Sequence, residues 1–278
     1  MSSSPQIIEH VVLFKVKDET EPAKVSGWLS GLNGLASLDQ VLHLSAGPIH
    51  RDLSSAFKFT HMLHSRYSSK EDLSGYSGHP SHLRVVKELG SPILEDLMAV
   101  DWVADDLSGP VVPRPGSAMR LTIMKLKGGL GDEEKANILG AIGDIKDCLG
   151  SLNQMTYGEN FSPARAKGFS IASVAIFPGL NELEALDSNP ELVQLQRDKV
   201  RDLLDRVIVL DYVVPPPQSA SLSWLLWLRL YGFMFSLLTF MDLVVFQITL
   251  NFERHFAYVI FLNVLASHLV LSRDILNK

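Results

Sequence analysis

The chain of 278 residues has one cysteine, Cys148, few charges, and no histidine between residues 83 and 254. A lone thiol cannot close an internal disulfide, which excludes a cross-linked secreted scaffold and points to a reducing compartment. Charged residues make up only 20% of the chain and leave a formal net charge of −6, the opposite of what a general nucleic-acid binder needs. With 46% hydrophobic residues the chain is nevertheless too apolar to remain disordered. The opening Met1-Ser-Ser-Ser-Pro5 lacks the basic flank and apolar stretch of a secretory signal. No His-Glu-x-x-His and no cysteine pair at ligand spacing is present, so a histidine-held zinc is not expected. Lys127-Gly-Gly-Leu-Gly131 lacks the Gly-Lys-Ser/Thr of a phosphate loop and reads as a turn. Lys15, Lys17 and Arg66 read as isolated, solvated charges.

What the chain does contain is a repeat. Sliding the sequence by 110 residues lays Phe14-Lys-Val-Lys17 over Met124-Lys-Leu-Lys127, Phe59-Thr60 over Phe169-Ser170, and Tyr67 over Phe177. His79-Pro80 then meets Asn189-Pro190, and Val100-Asp-Trp-Val103 meets Leu210-Asp-Tyr-Val213. An unchanged offset through a whole unit is the mark of duplication.

Each unit reads as strand, helix, strand, strand, helices, strand. Ile7–Val16 is apolar and β-branched, and Pro22–Leu35 repeats apolar positions at helical spacing. Gln40–Leu44 and Phe57–Tyr67 are short strand candidates on either side of a turn at Ala46-Gly47-Pro48. Lys70–Gly75 and Ser81–Leu89 read as helices around His79-Pro80, and Leu97–Val103 closes the unit as a strand. The second unit follows with Leu121–Lys127, Glu133–Ile145, Gln154–Gly158, Phe169–Phe177, Glu182–Leu186, Glu191–Leu204 and Val207–Val213. The expected class is α+β, with helices on one face of each sheet. His10, Val12, Phe14 and Val16 share one strand face while Val11 and Leu13 take the other, so both faces need cover and the two units can supply it by packing sheet on sheet. The expected domains are 7–106 and 118–214, joined by a Pro- and Gly-rich linker at 107–117 and followed by a hydrophobic tail at 215–278.

His10-Val-Val-Leu-Phe-Lys-Val-Lys-Asp-Glu19, Phe59-Thr-His-Met62, Tyr76-Ser-Gly-His-Pro-Ser-His82 and Val100-Asp-Trp102 together resemble the plant stress-responsive dimeric α/β-barrel family. The resemblance spans residues 7–104 and extends through the repeat to 119–214. It implies ferredoxin-like units that pair into a β-barrel, here from two tandem copies. One branch that this chain resembles, the olivetolic acid cyclase type, closes a linear polyketide thioester by aldol condensation with a Tyr and a His. The matching positions are Tyr76 and His82 as catalytic residues, with His10 and His61 as ligand-binding histidines of the cavity. A further cavity tyrosine of that branch falls near Leu32 here. The resemblance also implies a possible magnesium ion held by main-chain carbonyls at the end of the first helix, where Leu35, Leu38, Asp39 and Val41 are the nearest matches.

The histidines agree with a single site. Seven of the nine lie at positions 10 to 82, and the counterparts of His10, His61, Tyr76 and His82 in the second repeat are Arg120, Ile171, Leu186 and Leu192. Any site for proton transfer near neutrality therefore belongs to the first repeat, and the resemblance implies His82 as its base and Tyr76 as the holder of a developing oxyanion. In the alternative reading His10 and His61 are satisfied strand histidines and His79 caps the helix starting at Pro80. The expected function is a self-associating or small-hydrophobic-ligand-binding module with no required cofactor, and the second is an aldol cyclase.

After Pro215 the composition changes. Residues 215–278 carry 4 Lys+Arg and 3 Asp+Glu, against 21 and 28 in residues 1–214. The segment 222–272 is apolar enough to suggest membrane association, although Arg229 and Asp242 would be costly near a bilayer centre, and an equal alternative is a tail packed on the barrels or an extension unrelated to the repeat. Ala220-Ser-Leu222 resembles a peroxisomal tripeptide, a signal read only at a chain end. The expected location is cytoplasmic or peroxisomal.

Overall fold

The computed structural model describes residues 6–54, 57–105, 107–148, 152–187 and 200–216. The apolar tail beyond residue 216, its tripeptide and most of the helix expected at Glu191–Leu204 lie outside the described residues. Among the described residues no helix is long and apolar enough to cross a membrane.

The first unit runs β1 (Ile7–Val16), α1 (Pro22–Gly34), β2 (His43–Pro48), the two-residue β3 (Arg51–Asp52), β4 (His61–Tyr67), α2 (Lys70–Gly78), α3 (Pro80–Arg84) and β5 (Leu94–Ala104). The second runs β6 (Ala118–Leu126), α4 (Asp132–Cys148), β7 (Gln154–Glu159), β8 (Ile171–Phe177), α5 (Leu180–Asp187) and β9 (Leu204–Val213). The sheets are ordered β2-β4-β1-β5 and β3-β9-β6-β8-β7, the ferredoxin-like order in both units. The register keeps the offset of 110: His10 faces Ser65 and Asp101, and Arg120 faces Ala175 and Asp211. Even the bulge repeats, between Lys15 and Val16 and between Lys125 and Leu126.

Local sequence explains the helix starts. Pro22 opens α1 at a position where a missing N–H costs nothing. Ser69 caps α2 by accepting the Asp72 N–H, with Glu71 and Asp72 set against the positive end of the helix dipole. His79 caps α3 by accepting the Ser81 N–H. Beyond Arg84 the expected helix loosens into a π-helical turn at Val85–Gly90.

Two further features differ from the sequence reading. Ala46-Gly47-Pro48 is the end of β2 and not a turn: Gly47 lies where the Tyr212 ring approaches to 3.5 Å of a would-be Cβ, and Pro48 ends an edge strand. Arg66 is not solvated but 0% exposed, donating to both Glu9 oxygens (2.9–3.2 Å), to Gln154 Oε1 (2.6 Å) and to the Val111 carbonyl (2.7 Å). Glu9 also takes His64 Nε2 (2.6 Å) and the Thr156 hydroxyl (2.8 Å). The linker is thus tied down through its carbonyls.

Each sheet has two buried faces. Toward the helices lie Ile8, Phe14, Val16, Trp28, Leu32 and Tyr76 of the first unit. Between the sheets, Val11, Leu13, Met62, Val100 and Trp102 share one core with Leu121, Ile123, Val174 and Leu210. At roughly 1.5–3 kcal/mol per large apolar side chain, neither unit could leave that face in water. The chain crosses between sheets at both seams. His50 N–H donates to Asp211 O (2.8 Å) and Leu53 N–H to Val209 O (3.0 Å), flanking β3, while Phe161 N–H donates to Asp101 O (2.9 Å) on the other side. The two repeats pair with each other inside one chain.

Candidate functional site

On the helix-covered face of the first sheet, β1 presents His10, β4 ends in Tyr67, α2 presents Tyr76 and α3 presents His82. The rings form one cluster. Tyr76 and His82 are 4.6 Å apart by centroids, Tyr67 and Tyr76 5.2 Å, His10 and Tyr67 6.2 Å, and His10 and Tyr76 6.5 Å. Tyr76 is 1% exposed and His10 4%, whereas His82 is half-buried and forms the outer edge of the cluster. Burial pushes both tyrosine hydroxyls well above their ordinary range, so each stays a neutral donor.

His82 Nδ1 lies 2.9 Å from the Ser77 carbonyl, an acceptor only, so Nδ1 carries the proton and Nε2 holds the lone pair. Burial lowers the pKa of His82, only partly opposed by that hydrogen bond, and the imidazole is neutral near pH 7. This is the form a general base requires. His10 Nδ1 donates to the buried carboxylate of Asp101 in a short contact. Burial alone would raise the Asp101 pKa, but the His10 hydrogen bond and nearby positive charge hold it below the usual range.

The second repeat completes this site. Its segment after β7 runs along β5: Asn160 Oδ1 accepts the Asp101 N–H (2.9 Å), Arg165 Nη2 donates to Asp101 Oδ2 (2.7 Å), and Lys70 of α2 sits 4.4 Å over the Phe161 ring.

The structure therefore brings together Tyr76, His82 and His10 and leaves His61 apart. His61 lies at the opposite end of β4, six residues or about 20 Å from Tyr67, where its Nδ1 meets Thr60 Oγ1 (2.9 Å) and its ring meets Trp28. Leu32, at the position of the cyclase branch's further tyrosine, is core. Sequence reasoning missed Tyr67, Asp101 and Arg165. Tyr67 and Asp101 were visible as repeat markers, and a charged residue inside an apolar strand, recurring as Asp211, was the signal to pursue. Arg165 gave none, because it reaches the site from the other repeat.

The Leu35–Val41 stretch is a 3-10 turn and loop in which the Leu35 and Leu38 carbonyls already accept backbone N–H groups (3.1 and 2.9 Å), and Asp39 is exposed. Among the described residues no group of three or more His, Cys, Asp or Glu is placed to hold a metal.

In the second unit the equivalent position is an ion-pair cluster. Arg120, in the place of His10, makes a two-pronged contact with Asp211 (2.8 and 3.0 Å) and reaches Asp187 (2.6 Å). Arg51, arriving from the first repeat, bonds the same two acids at 2.7 Å each. Beside it lies a cavity of about 620 Å³ with Met124, Ile142, Met155 and Leu186 in its walls.

The chain matches the Stress Responsive A/B Barrel Domain family twice, over residues 8–104 and 119–214. It is 56% identical over 222 residues to a stress-response A/B barrel domain-containing protein of Arabidopsis thaliana, covering 79% of this chain and 84% of that protein. It is 47% identical over 211 residues to a second protein of that description from the same plant, covering 75% and 97%. An anthrone oxidase-like protein of known structure shares the fold with a TM-score of 0.55 at 11% identity, over 77% of this chain and 92% of its own. With tandem matches, shared register and two paired ferredoxin-like sheets, this chain belongs to the stress-responsive A/B barrel family.

Proposed function

We propose that this chain is a small-molecule-binding, intramolecular α/β-barrel whose ligand meets the Tyr76–His82 edge of the first unit. One observation carries the reading: the half-buried His82, neutral and with Nε2 unprotonated, lies 4.6 Å from a phenol held in its donor form, while the second repeat has leucines at those two positions. The lone pair of the half-buried His82, with a phenol beside it, suits a ligand with carbonyl or enol oxygens on an otherwise apolar body.

The same pair supports a second reading, an aldol-type cyclase. His82 Nε2 would take a proton from a methylene between two carbonyls, the carbanion would form a carbon–carbon bond to a distant ketone carbon, and the Tyr76 hydroxyl would hold the resulting alkoxide. Incubating the chain with tetraketide-type thioesters distinguishes the readings. Cyclised product that disappears in His82→Ala and Tyr76→Phe establishes the cyclase; no product across the panel removes it. Ligand-induced NMR shifts at Tyr76 and His82 support binding in the first unit. Shifts confined to Arg120, Ile142 and Ala175 would move the ligand to the second unit's cavity and overturn the proposal.

A further inference from the structure

We propose that Arg165 makes the first unit's site selective for anionic ligands, with a ligand carboxylate standing where the second unit keeps its own Asp187. The inference rests on reading the Tyr76–His82 cluster as a ligand site, and a comparison of the two seams carries it.

The seams are built alike. In each, an aspartate of the last strand, Asp101 or Asp211, accepts from a first-strand residue of its own unit, His10 or Arg120. In each, an arginine arrives from the other unit, Arg165 or Arg51. They differ in charge balance. Around Asp211 two arginines meet two carboxylates, because Asp187 at the end of α5 bonds both Arg51 and Arg120. Around Asp101 there is one carboxylate among the described residues. The residue 110 positions before Asp187 is Ser77 on α2, which brings no charge and uses its carbonyl to orient His82.

Among the described residues Arg165 therefore has one acid partner, and only Nη2 of its guanidinium is engaged, by Asp101 and, at 3.5 Å, by the Ser162 hydroxyl. Its side chain is 46% exposed, against 33% for Arg51 and 12% for Arg120. It is near enough to His82 for its charge to bear on that imidazole. A guanidinium with free donors prefers a planar carboxylate, which it can grip with two parallel hydrogen bonds. The geometry thus selects an aromatic or apolar acid, its body against the half-buried His82 ring at the edge of the cluster and its carboxylate on Arg165.

The test uses the full-length chain and two probes of the same shape, 2-naphthoate and 2-naphthamide, titrated while the His82 Cε1–H resonance is followed. Naphthoate should bind at least about tenfold more tightly than the amide. Arg165→Gln should bring the ratio close to one. Ser77→Asp, which copies the second unit's internal acid, should do the same without removing the arginine, and covers the case in which Arg165→Gln fails to fold. Equal affinity for both probes in the parent chain, or a preference that survives both substitutions, overturns the anion assignment alone. If neither probe moves the His82 resonance, the ligand-site reading falls with it.

Discussion

Glu9 and Arg66 show how much one residue can depend on another. Both are fully buried between the sheets, and His64, Thr156 and Gln154 satisfy what remains of their hydrogen-bonding capacity. Removing one partner strands the other charge, so Glu9→Ala should cost about 3–5 kcal/mol in a urea denaturation series. The second repeat carries Met119, Val174 and Ile176 at the matching positions. Replacing Glu9, His64 and Arg66 together by Met, Val and Ile should therefore lose far less than Glu9→Ala does; an equal loss would show that the network, not the unpaired charge, sets the stability. His43, its ring 5.2 Å from that of His64, is pushed down to about 3, chiefly by burial and then by the His64 and Arg66 charges. The folded chain thus holds fewer protons than the unfolded chain below the ordinary histidine pKa of about 6.5. His43 destabilises progressively as pH falls from about 6.5 toward 3, by about 1.4 kcal/mol per pH unit, with Glu9 adding to the loss below its ordinary pKa. Stability measured at pH 7, 6 and 5 should fall at least that steeply, since burial also lowers the pKa of His61, His64 and His82, and His43→Gln, copying Gln154, should remove only the share of the slope that belongs to His43.

Elements meet most tightly at the two seams. Gly158 of β7 lies against β5, where an added Cβ would stand 2.9 Å from the Val103 carbonyl oxygen and 3.1 Å from Trp102. Its counterpart Gly47 faces Tyr212 at an ordinary 3.5 Å. Gly158→Ala should cost about 1–3 kcal/mol because a backbone oxygen cannot yield, whereas Gly47→Ala should be close to neutral by thermal unfolding. The strand and helix order was legible from periodicity and caps, but Ala46-Gly47-Pro48 has turn-like composition although it ends an edge strand. The helix expected over Ser81–Leu89 ends early, since α3 gives way to a π-turn that lets Val85 and Gly90 pack against α1.

For the molecule as a whole, both sheet faces are covered from within, and residues 1–218 form one compact unit. That unit should sediment with the mass of one chain at micromolar concentration, since the pairing that buries the central core is satisfied in cis. A dimer would show that the seams exchange between chains. The sequence by itself determined the duplication, the α+β order and the absence of histidine from the second repeat, because each of these is written in spacing along the chain, while Tyr76 and His82 were singled out by family resemblance. Only the tertiary structure decided that Arg66 is buried, that His61 stands apart, and that Asp101 and Arg165 join the site. Those outcomes depend on which residues meet across a seam, and contacts between residues 64 or 160 positions apart leave no period in the sequence.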